Sequence, residues 1–193
     1  KETAPLEPLS LYAKSKVKIE KLLLKKNKNL FNPTIFRFAT AFGLSDRMRY
    51  DLTINQFILE MYLKRKIEIY DHKTWRPYCH LIDFARLIYK SHKIDSKYTN
   101  RQVFNAGSNK NNFNKIQIAQ AIRKYINGKI TIVKESKDKR NYKVNFNKLE
   151  NKLNFKCLYG LDYGIKTILQ NLKKQKKSNL NKNFSLGNFK IKS

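Results

Sequence analysis

The chain has 193 residues, of which 41% are hydrophobic, and its 42 lysines and arginines outnumber 14 acidic residues to give a net charge of +28. This length and composition are typical of a globular domain with a buried core. They exclude a transmembrane helix, because no run of about 20 apolar residues occurs, and a disulfide framework, because the chain has only 2 cysteines.

The first predicted element is a helix that carries Tyr12 and, four residues later, Lys16. Residues at this spacing lie on one face of a helix, so the phenol and the ammonium can converge. A cation about 4 Å from a tyrosine, at an effective dielectric constant of about 20, favours the phenolate by about 4 kcal/mol. A tyrosine in such surroundings can transfer protons near neutral pH.

Spacing alone does not separate this pair from chance, because lysine is abundant. A surface lysine beside an aromatic ring would explain the interval equally well, so the pair is judged by the elements that follow it. Three other pairs have the same interval, namely Tyr62/Lys66, Tyr89/Lys93 and Tyr125/Lys129.

The rest of the chain alternates strands and helices, which predicts an α/β fold. Helical periodicity continues to Leu24, and residues 34–43 are expected to form one short strand that ends at Gly43. Asp83 is placed to cap a helix at 84–89. The other expected elements are a helix at 52–62, strands at 67–70 and 103–106, a helix at 116–126, a strand at 129–133, and helices near Lys148 and at 161–172.

Cys79 and Cys157 are expected to be reduced, structural thiols, which favours a cytoplasmic setting. The histidines lack the spacing of metal ligands, so no metal site is expected. His80 is expected to be a structural hydrogen-bonding residue near the Asp83 cap.

Several further segments match known motifs in sequence order. Glu2 to Pro5 is similar to E-x-T-x-P and is followed by Tyr12-x-x-x-Lys16. The other matching segments are Arg37 to Gly43, similar to R-x-x-N-x-Y-G although Thr40 and Phe42 depart from it; Arg76 to Asp83, similar to R-x-F-x-H-V-x-D; Phe104 to Ser108, similar to Y-N-x-G-S; and Asp138 to Tyr142 with Lys148 to Phe155, similar to R-x-x-Y…K-I…L-G-F. With these motifs in this order, the chain up to about residue 173 resembles the extended short-chain dehydrogenase/reductases, the NAD-dependent epimerase/dehydratase family.

The resemblance implies the C-terminal part of a Rossmann-type doubly wound sheet with a small α/β substrate-binding subdomain. Residues 1–43 would hold the catalytic helix and the following strand. Residues 44–172 would bind substrate, with a strand at about 102–107 returning to the main sheet, and residues 173–193 would form a basic, disordered tail. Since the family's glycine-rich turn and catalytic Ser/Thr are not found, we expect part of a longer enzyme that is inactive alone.

The resemblance further implies transient oxidation of a nucleotide-sugar with NAD or NADP. Tyr12 and Lys16 would be catalytic, and they would contact the cofactor together with Ala39 and Thr40. Whether the enzyme epimerises, dehydrates or reduces its substrate is left open, because the residues that decide it lie beside the missing Ser/Thr.

By the same resemblance, Asn55, Arg76 and Arg140 would bind the substrate, the two arginines through its pyrophosphate. The alternatives are a solvent-facing asparagine on a helix and two arginines in surface salt bridges.

The net charge also permits a second function, a basic module on the same fold that binds nucleic acid or another polyanion. The charge is spread along the chain and accompanies abundant Asn and Ile, which favours AT-rich coding as its cause, so a nucleic-acid partner is not expected. Family members often dimerise through the tyrosine helix. That helix is crowded here with lysines: Lys14, Lys18, Lys21, Lys25 and Lys26.

Overall fold

The computed structural model describes residues 1–29, 31–133 and 141–175. Its elements alternate as expected from the sequence, and the α/β fold class is confirmed. The helices are α1 (Leu11–Lys25), α2 (Thr53–Lys64), α3 (Leu81–Ser91), α4 (Ser96–Thr99), α5 (Lys115–Arg123), α6 (Asn147–Leu153) and α7 (Leu161–Lys174). The strands are β1 (Ile35–Phe38), β2 (Thr40–Phe42), β3 (Lys66–Ile69), β4 (Trp75–His80), β5 (Val103–Ala106), β6 (Asn112–Asn114) and β7 (Lys129–Ile132).

The strands form three small sheets in which most pairs are parallel. β1 runs parallel to β5, β2 to β4, and β3 to β7, whereas β6 is antiparallel to β4. Parallel strands need long crossover connections, and the helices between the paired strands supply them.

Residues 34–43, predicted as one strand, form two. β1 pairs with β5 as far as Phe38, the backbone N–H of Ala39 donates to the carbonyl of Ala106, and β2 pairs with β4 from Thr40 onward. The chain therefore changes its partner strand at Ala39. Sequence could not reveal this break, because both halves carry the same apolar and aromatic residue types.

In the described part of the chain, three hydrophobic clusters hold the layers together. The largest joins α2, α5 and α7 to β2 and β3, the second joins α3 and α6 to β5, and the third consists of Ala39, Cys79 and Phe146. Each fully buried Leu, Ile or Phe side chain contributes about 1.5–3 kcal/mol. Buried members of the largest cluster include Phe42, Ile58, Met61, Ile118 and Ile165.

α3 follows β4 directly, and this changes how the helix begins. The prediction that Asp83 caps it was wrong, because His80 is the N-cap residue and its Nδ1 accepts the backbone N–H of Ile82 at 3.2 Å. Asp83 lies buried in the first turn, where it accepts the backbone N–H groups of Leu158 and Tyr159. The expectation that His80 is a structural hydrogen-bonding residue is confirmed.

Two predictions concern residues outside the described part of the chain, namely Arg140 and most of the basic segment, 176–193. Lys173 and Lys174, assigned by sequence to that segment, belong to α7. No helix within residues 1–29, 31–133 and 141–175 is long and apolar enough to cross a membrane.

Candidate active site

Tyr12 and Lys16 lie in the first turns of α1, and Ser10 is the N-cap residue of this helix. The Ser10 hydroxyl accepts the backbone N–H of Ala13 at 3.1 Å and so satisfies one of the free donors of the first turn. Lys16 Nζ lies 5.3 Å from the centre of the Tyr12 ring, within the range of about 6 Å for a cation–π contact. Because Tyr12 is 72% exposed, α1 presents a phenol and an ammonium together on an accessible face.

The three other Tyr/Lys pairs with the same spacing, called the rival pairs, make different contacts. Tyr89 and Lys93 form a similar contact, with Nζ 4.4 Å from the ring centre. Lys66 pairs instead with a nearby glutamate, and the Tyr125 hydroxyl donates to Asp162. Geometry therefore leaves one rival, which serves below as a matched control.

α1 buries none of its residues fully, and its apolar residues Ala13, Val17, Leu23 and Leu24 are half-buried. An ion pair and hydrogen bonds also attach it to β1. Arg37 on β1 donates Nε and Nη2 to the two carboxylate oxygens of Glu20, at 2.9 and 2.5 Å, and this hydrogen bonding raises the pKa of Arg37. Arg37 also donates to the carbonyl of Glu2, whose carboxylate accepts the backbone N–H of Asn105. Arg101 donates to carbonyl oxygens at the far end of α1.

Ala39 and Thr40 lie where the chain passes from β1 to β2. Ala39 is buried and bonded to the carboxyl end of β5, and Thr40 is half-buried opposite Tyr78 of β4. In open α/β sheets, ligands bind in the crevice beyond the carboxyl ends of diverging strands. Such a location suits backbone contacts to a cofactor, because the Ala39 side chain offers only a methyl group.

Asn55 is buried in the first turn of α2, so the alternative of a solvent-facing asparagine is wrong. Its Oδ1 accepts the backbone N–H of Gly43 at 3.2 Å, and its Nδ2 donates to the carbonyl of Arg49 at 3.1 Å. These bonds hold the turn that follows β2. An asparagine side chain can take part in four hydrogen bonds, so two more are within its capacity.

Arg76 on β4 belongs to an aromatic–basic patch formed by Trp75, Arg76, Tyr142 and Lys143. Its Cζ lies 5.3 Å from the centre of the Tyr142 ring, and Lys143 Nζ lies 3.6 Å from that of Trp75. The backbone N–H of Trp75 donates to Asn141 Oδ1, and its carbonyl accepts the N–H of Tyr142. Cations beside aromatic faces can contact phosphates and flat rings.

Three asparagines, which we call the asparagine clamp, attach residues 144–146 to the β5–β6 region. Asn112 both accepts from and donates to the backbone of Val144, at 2.9 and 3.0 Å. The Asn109 side chain accepts the backbone N–H of Phe146, and the Asn105 side chain donates to the backbone carbonyl of Asn145. Sequence analysis missed this group, although the density of asparagine in residues 105–114 is its signal.

Asp83 is a second residue whose role was missed. Its side chain is 0% exposed and pairs with Arg86 at 2.5 Å while it accepts the two backbone N–H groups named above. This carboxylate therefore fastens the segment before α7 to the start of α3. Because this carboxylate is buried, we assign it a structural role and not a role in proton transfer.

The described residues fit one end of a dinucleotide. Tyr12 and Lys16 offer a hydroxyl and an ammonium, but Gly43 and Gly107 serve internal packing: a Cβ on Gly43 would lie 2.5 Å from His80 Nε2, and one on Gly107 would lie 2.7 Å from the Phe146 ring. They do not form a cradle for a pyrophosphate. Within the described ranges, no group of three or more His, Cys, Asp or Glu side chains could hold a metal ion.

The sequence model of the NAD dependent epimerase/dehydratase family matches residues 1–107, which include α1, Ala39, Thr40, α2 and β4. The chain belongs to this family. Among solved structures, TunA, an NAD dependent NDP-hexosamine 5,6-dehydratase of tunicamycin biosynthesis, has a TM-score of 0.77 at 16% identity, over 93% of this chain and 58% of its own. A dTDP-glucose 4,6-dehydratase from Bacillus anthracis in complex with NAD has a TM-score of 0.73 at 22% identity, over 93% and 58%.

A mutant UDP-glucuronic acid 4-epimerase from Bacillus cereus, in complex with a substrate analogue and NAD, has a TM-score of 0.76 at 20% identity, over 90% of this chain and 56% of its own. At these identities the neighbours show the fold, which is Rossmann-type as predicted. The chain thus spans a little over half the length of the structures it matches. The prediction of NAD or NADP is confirmed for the family, since neighbours hold NAD or NADPH.

Proposed function

We propose that this chain is the catalytic and substrate-binding portion of an NAD(P)-dependent enzyme that epimerises, dehydrates or reduces a nucleotide-sugar. The observation that carries the proposal is the pairing of Tyr12 with Lys16 on the exposed face of α1, inside the region that matches the family. Neighbours named for NDP-hexosamine, dTDP-glucose and UDP-glucuronic acid support the substrate class. In this proposal the 193 residues alone are inactive, because their described glycines do not form a cradle for the cofactor pyrophosphate.

Tyr12 acts as the general acid and base. Its phenol oxygen takes a proton from a sugar hydroxyl, and the Lys16 ammonium lies 5.3 Å from the centre of its ring. NAD or NADP, when bound, supplies the acceptor for the hydride. Lys16 also has N–H donors for the ribose hydroxyls of the cofactor, and the backbone at Ala39 and Thr40 lines the crevice beside it.

Arg76 and Arg140 bind the pyrophosphate of the substrate. Arg76 lies in the aromatic–basic patch, and Arg140 directly precedes Asn141, whose side chain is bonded to the Trp75 backbone. A guanidinium group can hold two phosphate oxygens at once, which gives direction as well as charge. Asn55 binds the substrate through the hydrogen-bonding capacity that its two backbone contacts leave.

The test replaces Tyr12 with Phe in a protein that joins this chain to a strand and glycine-rich turn able to bind the cofactor. Loss of the phenol oxygen should lower kcat by about 10²- to 10⁴-fold, as expected when a general base is removed, with cofactor affinity retained. The assay follows cofactor reduction on a panel of nucleotide-sugars. Tyr89→Phe, at the rival pair, should leave kcat unchanged; equal activity of Tyr12→Phe and the parent would refute the proposal.

A second candidate function is a basic module that binds nucleic acid. It is favoured by two exposed tyrosines on α3 and α4, each with a lysine ammonium over its ring: Tyr89 with Lys93 at 4.4 Å and Tyr98 with Lys97 at 5.0 Å. Exposed aromatic faces beside cations are surfaces on which single-stranded bases stack. The first proposal ranks above it because the family match over residues 1–107 supports the enzyme.

We also propose a cytoplasmic location, supported by the two free cysteines. We further propose a homodimer that forms through α1. Exposed apolar side chains along this helix support it, namely Leu11, Ile19 and Leu22. The lysines of that helix would oppose the contact by charge repulsion.

A further inference from the structure

Cys79 and Cys157 lie 78 residues apart in sequence and side by side in the fold. Cys79 is on β4 and is 2% exposed, and Cys157 is half-buried in the segment between α6 and α7. Their Sγ atoms are 3.9 Å apart and in hydrogen-bond contact, and both thiols are free.

Fixed elements hold both thiols in place. Cys79 pairs in register with Ala41 of β2. Cys157 directly precedes Leu158, whose backbone N–H is held by the buried carboxylate of Asp83. A disulfide has an S–S distance of about 2.05 Å, so the sulfur atoms, now 3.9 Å apart, need to approach by about 2 Å. Rotation about the two Cα–Cβ bonds is the movement required.

We propose that Cys79 and Cys157 form a reversible modification site, a dithiol that small disulfides such as oxidised glutathione convert into an intramolecular disulfide. This inference does not depend on the proposed enzymatic function.

The reaction proceeds by two thiol–disulfide exchanges. The Cys157 thiolate attacks one sulfur of the small disulfide, whose S–S bond breaks; one small thiolate leaves, and a mixed disulfide remains on Cys157. Cys79 then gives its proton to solvent and attacks Cys157 Sγ, which releases the second small thiolate. The two protein thiols are oxidised by two electrons, and the small disulfide is reduced to two thiols.

The order of attack follows from exposure. Cys157 is the accessible sulfur, whereas hydrogen bonding with Cys157 and then burial raise the pKa of the Cys79 thiol. Since the thiolate is the nucleophile, the second exchange is the slow one, and the mixed disulfide accumulates before the ring closes. The finished bond ties β4, the strand of Arg76, to the segment before α7.

The test equilibrates the reduced 193-residue chain with glutathione buffers of increasing oxidised fraction, followed by an acid quench, alkylation of free thiols and mass analysis. Two thiols should be lost together, with one peptide pair joining Cys79 to Cys157 and full reversal by reductant. In denaturant, the same bond should need a ratio of oxidised to reduced glutathione at least about tenfold higher, because the unfolded chain has to close a long loop.

Matched variants separate the steps. Cys79→Ser should stop at a glutathione adduct on Cys157, and Cys157→Ser should leave Cys79 unmodified. A native chain that stops at the adduct, that forms only disulfides between molecules, or that shows the same midpoint folded and denatured would overturn the inference. The comparison of folded and denatured native chain needs no variant, so a variant that fails to fold does not affect it.

Discussion

The imidazole of His80 is buried among aromatic rings. The ring centres of Phe42, Tyr159 and Tyr163 lie 5.2, 5.5 and 5.4 Å from it, and its Nδ1 accepts the backbone N–H of Ile82. A protonated imidazole would lose this cap bond and would be poorly solvated. Burial accordingly lowers the pKa of His80, against a smaller opposing effect of Asp83.

We expect the free energy of unfolding to decrease in mildly acidic solution because of His80. An unfolded histidine has a pKa of about 6.5, and the folded pKa lies below this, so the unfolded state binds more protons once the pH drops below about 6.5. The contribution is complete above that pH and is lost as the pH falls through the folded pKa. Urea unfolding measured between about pH 8 and pH 5 should show this slope.

His80→Asn is the informative variant, because its amide oxygen can still cap α3 but does not titrate. This part of the pH slope should disappear in the variant, whatever its absolute stability. The exposed His92 provides the control, since His92→Asn should keep the slope of the parent. An unchanged slope in His80→Asn would show that other groups cause the acid sensitivity.

At the scale of elements, α1 differs from the other long helices in its attachment. α2 and α7 bury six residues each, whereas α1 buries none. The position of the Tyr12 helix therefore depends strongly on the Arg37–Glu20 pair and on the contacts of Arg101, because its apolar side chains are at most half-buried.

Glu20→Gln should loosen α1 while the core stays intact. The substitution removes the charge and one of the two acceptors of Arg37, and hydrogen bonds to charged groups contribute about 1.5–3 kcal/mol. Amide hydrogen exchange in α1 should accelerate by about tenfold or more, with no change in α2 and α7, as followed by mass spectrometry. Glu7→Gln, at an exposed position before α1, is the control; equal exchange in both variants would contradict the role given to Glu20.

The sequence correctly predicted the helices and strands that bury one apolar face. α2, β3, β7 and α7 were found within a few residues, because their periodicity follows directly from the face that packs. The break at Ala39 was missed because it depends on a change of partner strand. The wrong cap at Asp83 has a similar cause: β4 runs straight into α3, so the capping position moves back to His80.

A motif led to the candidate site. Tyr12 and Lys16 were proposed from their spacing and from the elements that follow, and the contact between their side chains was expected from helix geometry. The partners that support the site were not predicted, since Glu20 pairs with Arg37 and Asn105 with the chain 40 residues away. Charged and amide side chains show no periodicity along the sequence from which these hydrogen-bond partners could be predicted.

At the scale of the molecule, the isolated chain should not bind NAD. Its described residues offer contacts for one end of the dinucleotide, and phosphate binding needs a set of backbone N–H donors that they do not supply. Calorimetric titration with NAD is the measurement, and tight binding would contradict this expectation.

A labelled single-stranded oligonucleotide, titrated in parallel, tests the second candidate function. If the chain binds the oligonucleotide and Lys93→Gln abolishes the binding, the result supports a nucleic-acid site at Tyr89 and Lys93. If the variant binds as tightly as the parent, the result counts against that site.

The asparagine clamp holds residues 144–146 by hydrogen bonds of neutral amides, whereas the Arg37–Glu20 pair holds α1 by an ion pair. Dissolved salt hardly screens hydrogen bonds between neutral groups. It does weaken an ion pair, although partial burial limits this effect. Concentrated electrolyte should therefore loosen α1, the helix of Tyr12 and Lys16, before it detaches residues 144–146 from the asparagine clamp.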